Sequence, residues 1–139
     1  MKSKAPLSLM EQLIMLVVFA LAAALCLQVF VLSSRVSRDS ETKSHAVTAV
    51  QNAAEITKSC RGDFKALFRI LGGTDAADGW QLGYDENWQP TAPNQACYLV
   101  NITPTATEIP TLGSAVVSAH CETGTLFSVT VSWQEVSHE

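Results

Sequence analysis

Hydrophobic and polar positions divide this chain into three differently patterned stretches. Residues 7–32 open Leu-Ser-Leu-Met-Glu and then run apolar from Leu13 to Leu32, broken only by Gln28. At the helical rise, twenty such residues reach about 30 Å, the thickness of a bilayer's hydrocarbon core. Ser8 and Glu11 have the Ser-x-x-Glu spacing of a capping box, which predicts a helix starting there. Residues 33–60 hold no Pro or Gly, and Ala46, Ala49, Val50, Ala53, Ile56 and Cys60 recur at helical spacing among Lys43, Gln51, Asn52, Glu55 and Lys58. The pattern predicts one long helix that is apolar all round in its first half and amphipathic in its second.

Arg61-Gly62-Asp63 breaks that helix. Gly62 suits the left-handed position after a helix, and Asp63 suits the N-cap of a second helix over residues 64–71, closed by Gly72 and Gly73. The same tripeptide is the one integrins bind, but the helix break accounts for all three residues. From Thr74 the period changes to two. Trp80, Leu82 and Tyr84 alternate, residues 85–87 make a turn, and Pro90 and Pro93 mark a loop. Residues 96–103 read as a strand with Tyr98, Val100 and Ile102 on one face, followed by a loop from Pro104 to Pro110.

Residues 113–121 and 125–135 read as a hairpin. Its apolar faces, Ala115, Val117, Ala119 and Cys121 against Phe127, Val129, Val131 and Trp133, must lie on one side of the sheet. That requires 119 opposite 127, 117 opposite 129, and a three-residue loop Glu122-Thr123-Gly124 with Gly124 left-handed. The expected fold class is α+β, a long N-terminal helix packed on an antiparallel sheet of about four strands. The expected division is a basic leader (1–6), a transmembrane helix (7–33), a helical region outside the membrane (34–73) and a β domain (74–139).

Composition narrows the function. At 139 residues and a net charge of −4 there is room for one membrane segment and one small domain, and no basic face for nucleic acid. Lys2 and Lys4 precede the apolar run, which favours an N-inside orientation, although Arg35, Arg38 and Lys43 follow it. The run is longer than the apolar region of a cleaved signal peptide. Acids gather later, at Asp75, Asp78, Asp85, Glu86, Glu108, Glu122 and Glu135. Of four cysteines, Cys26 lies in the apolar run; Cys60, Cys97 and Cys121 leave at least one thiol free, with a bridge between Cys97 and Cys121 open.

Enzyme chemistry is not expected, and neither is a cofactor or a metal. His45, His120 and His138 are scattered without a Cys, Ser or Asp at a spacing that suggests a catalytic pair. Asp75 and Asp78 supply two carboxylates, too few for a calcium site. Asn101-Ile102-Thr103 is a formal glycosylation sequon, but it falls mid-strand.

A short basic leader, then Leu-Ser-Leu-Met-Glu, then an unbroken apolar helix resembles the N-terminus of a type IV pilin or type II secretion pseudopilin, and is most similar to the small prepilin-like proteins of Gram-positive bacteria. In that family a prepilin peptidase removes the leader, usually after Gly. Aligned on it, Leu7 takes the first mature position and Glu11 the fifth. The resemblance implies processing and methylation at the junction of Pro6 and Leu7, and other pilin or pseudopilin subunits as partners. It also implies an assembly role for Glu11, which would pair with the N-terminal amine of a neighbouring subunit. The specific motif covers residues 1 to 32; the remainder agrees in layout. Pro6 stands where the family has Gly or a tolerated Ala. From the residues alone, Glu11 has a second explanation, completing the capping box at the membrane edge. Gln28 could bond a neighbouring helix or its own backbone.

Overall fold

The computed structural model describes residues 5–135; Lys2, Lys4 and His138 lie outside them. It divides into two compact units, Met1–Glu41 and Thr42–Glu139. Helix α1 (Ala5–Ser59) is a single α-helix whose buried residues, Ala46, Ala49, Val50, Ala53, Ala54 and Thr57, all lie in the second unit. The expected capping box is not made. The helix already includes Ala5 and Pro6, so Ser8 sits inside it with helical backbone. A proline in the first turn forfeits no intrahelical hydrogen bond, and so does not stop the helix from extending upstream of Ser8.

The second unit is one layer of helix on one sheet. The long strands are β2 (Gly79–Tyr84), β4 (Tyr98–Thr105), β5 (Leu112–Cys121) and β6 (Gly124–Gln134). Two short strands join them, β1 (Thr74–Ala76) and β3 (Pro90–Thr91), both paired with β2. The sheet is antiparallel throughout, in the order β1-β2-β4-β5-β6. Trp80, Leu82, Val100, Ile102, Ala115, Val117, Ala119 and Trp133 form its inner face, and the alanine-rich stripe of α1 covers it. The buried stripe is built mainly of small side chains, Ala46, Ala49, Ala53 and Ala54. Thr57, the one buried polar residue on that stripe, donates its hydroxyl back to the Ala53 carbonyl at 2.7 Å.

The end of α1 differs in detail from expectation. Arg61, not Gly62, holds the left-handed position immediately after the helix (φ 52°), with Gly62 next (φ 73°). Arg61 N–H donates to Lys58 O and Gly62 N–H to Thr57 O, the paired bonds of a Schellman motif. The glycine is needed for packing as well as backbone: a Cβ on Gly62 would lie 2.3 Å from the Trp133 ring. Asp63 then caps helix α2 (Phe64–Leu71), accepting from Lys65 N–H at 2.9 Å. Gly72 closes α2 with φ 71°. Gly73 leads into β1 against the Trp80 ring and the Gln81 carbonyl. Helix α2 thus crosses from Trp133 on β6 to Trp80 on β2, with Leu67 fully buried beneath it.

Two strand details also depart from the pattern. β4 continues through Pro104 to Thr105, where a loop was expected. Its pairing with β2 ends at Ile102, so on that side Pro104 has no strand to bond and its missing N–H costs nothing. The β5–β6 register has Ala119 opposite Phe127 and Val117 opposite Val129, as expected. The loop, however, has two residues, Glu122 and Thr123. His120 pairs with Thr125 and Cys121 with Gly124, and a bulge leaves Leu126 as the extra residue. The bulge lets both Leu126 and Phe127 pack on the core. It also leaves Cys121 at the turn rather than in the core. All four cysteines are free.

Candidate functional site

Pro6, Leu7 and Glu11 all lie on α1 in the first unit, and all are exposed. Glu11 falls in the second turn of the helix, past the unpaired N–H groups of the first. Capping therefore does not explain it. Around it the helix presents bare apolar side chains: Leu7 is 74 % exposed, Leu13 62 %, and the surface continues past Phe30. This is the one helix, among the described residues, long and apolar enough to cross a membrane. An acid on such a surface carries a cost of a few kcal/mol in hydrocarbon unless a cation meets it. Gln28 lies exposed on the same stretch.

The second unit holds three polar or aromatic groupings. In the first, Trp88 stacks with two rings. Tyr98 stacks on it with centroids 4.3 Å apart and planes at 11°, and His45 of α1 stacks at 5.8 Å and 20°. Tyr84 packs on it at a tilt. Trp88 itself has φ 58°, a left-handed conformation that is costly for a side chain of this size. The hairpin geometry demands it. Trp88 N–H donates to Asp85 O, Asp85 N–H to Gln89 O, and the loop of Glu86, Asn87 and Trp88 is a turn followed by one left-handed residue, ordinarily a glycine. The Asp85 carboxylate accepts from Asn87 N–H at 2.8 Å and Gln89 N–H at 2.9 Å and holds the turn shut. Burial among these rings raises the Tyr84 phenol above its ordinary value of 10.0.

The second grouping lies on the outer sheet face. Ser118 Oγ is 2.8 Å from His120 Nε2, and Thr125 Oγ1 is 3.0 Å from His120 Nδ1. The sequence pattern hid this pair. Residues two apart on a strand share a face, so a serine at 118 was within reach of His120 once the strand was assigned. Thr125 could not have been found without the bulge that sets it opposite His120. The chain of hydroxyl, imidazole and hydroxyl fixes the ring's orientation and satisfies both nitrogens in any protonation state. Beside it, the Cys121 thiol is 3.0 Å from Thr123 Oγ1, which lowers its pKa against an opposing desolvation effect.

The third is an open cleft of ≈ 360 Å³ where Arg61 and Phe64 face Pro104, Ile109, Trp133 and Glu135. Trp133 and Trp80 each bury an indole N–H without a hydrogen-bond partner among the described residues. No three His, Cys, Asp or Glu side chains, among the described residues, are placed to hold a metal ion. Asp75 sits in β1 opposite Trp80, and Asp78 in the two-residue turn that follows. Asn101 lies mid-strand and accepts from Gln81 Nε2 at 3.0 Å. Compared with known proteins, the chain matches no protein-family model, no curated protein and no solved structure.

Proposed function

We propose that this chain is a structural subunit, a minor pilin or pseudopilin, of a type IV pilus or type II secretion-like filament. It is held in the membrane by residues 7–33 before assembly, with its N-terminus in the cytoplasm and its sheet domain outside. The observation that carries the reading is Glu11: an acid without a capping role, on an otherwise bare apolar helix that continues into the lid of a small antiparallel sheet. Such a carboxylate is tolerated where a cation is brought to it, and a neighbouring subunit's N-terminal amine is one that appears only on assembly. Two different surfaces meeting head to tail make a filament where the rotation between copies does not close into a ring. Prepilin peptidase and sister subunits are the partners this reading requires. It asks for no catalytic residue and no cofactor.

A permanent single-pass anchor displaying the sheet domain to a protein partner is the second reading, and Pro6 favours it. The bond between Pro6 and Leu7 lies in the first turn of α1, and the pyrrolidine ring restricts the conformations a peptidase could impose on it.

The deciding experiment is the intact mass of the membrane-extracted protein from its own cell, together with Glu11→Ala. A chain starting at Leu7 with an added methyl group, and loss of filaments in Glu11→Ala, are the expected results. A chain retaining its first six residues, or normal assembly of the variant, would exclude the pilin mechanism.

A further inference from the structure

Charge in this chain is sorted by element. Residues 74–139, which hold every strand, contain no Lys or Arg at all, while Arg61, Lys65 and Arg69 follow one another at four-residue spacing along and just before α2. At 100° per residue, Lys65 and Arg69 form a ridge opposite the buried Leu67. Phe68 and Ile70 flank that ridge, 58 % and 60 % exposed. Helix α2 has already spent Phe64, Leu67 and Leu71 on the core. Its outer face is therefore a second, unspent amphipathic surface, cationic along its crest and apolar on both sides.

The complement lies at one end of the sheet. Tyr84 opposite Tyr98, and Cys121 opposite Gly124, bring the β2–β3 and β5–β6 turns to the same end. These turns carry Asp85, Glu86 and Glu122, the two glutamates exposed. Lys43 lies two residues before the His45 that stacks on Trp88.

We infer that the outer face of α2 docks on the acidic turn end of a second copy of this chain, Lys65 and Arg69 meeting Glu86 and Glu122, with Phe68 and Ile70 sealed beneath them. The two surfaces are different, so the contact is heterologous, and along a filament it repeats from copy to copy. The inference rests on the filament reading and gives that filament a contact outside the membrane. Charge fixes the register of such a contact, and desolvation of the flanking Phe and Ile gives it area.

The test uses the full chain in zwitterionic detergent or in extracted filaments, with equal parts isotope-labelled and unlabelled protein. A zero-length carbodiimide joins an amine to a carboxylate only where the two touch. The expected product is an isotopically mixed peptide linking Lys65 to Glu86 or Glu122, its yield falling about tenfold in high salt as screening weakens the contact. Lys65→Glu with Arg69→Glu should abolish association. An equal mixture with Glu86→Lys and Glu122→Lys should restore it, which a merely misfolded variant would not do. Filaments in which Lys65 forms no mixed link to Glu86 or Glu122, or a reversed-charge variant that assembles as the wild type does, would overturn this contact and leave the filament reading standing. Binding of the wild type, but not of the Lys65/Arg69 variant, to anionic over neutral vesicles would assign α2 to a membrane surface instead and equally overturn it. Wild-type chain that forms neither filaments nor mixed links would remove both.

Discussion

Trp88 shows how one residue can be held in a conformation it disfavours. A left-handed backbone costs a non-glycine residue roughly 1–2 kcal/mol, and the stack on Tyr98 and His45 offsets it. Trp88→Ala should keep the strain and lose the stack, destabilising the domain by about 2–4 kcal/mol, the cost of truncating a packed aromatic. Trp88→Gly loses the same stack but relieves the backbone, so it should be the milder of the two by about 1 kcal/mol. That reverses the usual order of Ala and Gly, and denaturant unfolding of the two variants reads it directly. Tyr84, packed on the same ring, has its pKa raised by burial. The folded state then holds the phenolic proton at a pH where the unfolded chain releases it. The contribution of Tyr84 to stability should be constant below about pH 10 and fall as pH rises further. In Tyr84→Phe part of that alkaline loss should vanish; an unchanged alkaline limb would place its origin elsewhere.

At the scale of elements, small residues on the lid set the distance between helix and sheet. Ala53 is 1 % exposed and Ala46 fully buried. Ala53→Leu has nowhere to put three further carbons without lifting α1, and should cost about 1–3 kcal/mol in thermal unfolding. Exposed Gln51→Leu, on the opposite side of the helix, is the control and should change little. That stripe was legible in sequence because it repeats at 3.6, as were α2 with its Asp63 cap and the four long strands at period two. What escaped were features in which tertiary packing overrides local preference. Arg61 takes the left-handed position because Gly62 is wanted one residue later under Trp133. A two-residue turn with a bulge at Leu126 replaces a three-residue loop because both satisfy the same register at Ala119 and Phe127. The short strands β1 and β3 have too few residues for a period to show. For the candidate site, Glu11 and its apolar surroundings stood out in the sequence. Thr125 beside His120 and the Trp88 stack did not, because each joins residues that only the folded register brings together; Ser118 and His120, two apart on one strand face, were within reach of the strand pattern.

For the whole molecule, the two units differ in what holds them together. Residues of the first bury nothing: every side chain from Ala5 to Glu41 is exposed. The second keeps its entire core, from Ala46 to Trp133, within its own bounds. A helix without a packed face depends on an apolar solvent or on other helices for its stability, whereas a helix lid with a sheet beneath it does not. Cutting the chain before Thr42 should therefore leave a water-soluble fragment, 42–139, that unfolds cooperatively on heating and retains both helical and strand circular dichroism. Cutting instead before Cys60 removes Ala46, Ala49, Val50, Ala53, Ala54 and Thr57 together. That exposes one face of the sheet, including Val100, Ile102 and Val117, to water. At about 25 cal/mol per Å² of apolar surface, uncovering a sheet face costs an amount comparable with the roughly 5–15 kcal/mol that holds a domain folded. The shorter fragment should aggregate or show no cooperative transition. A fragment 60–139 that melted as sharply as 42–139 would mean that α1 is an appendage to the sheet and not part of its core.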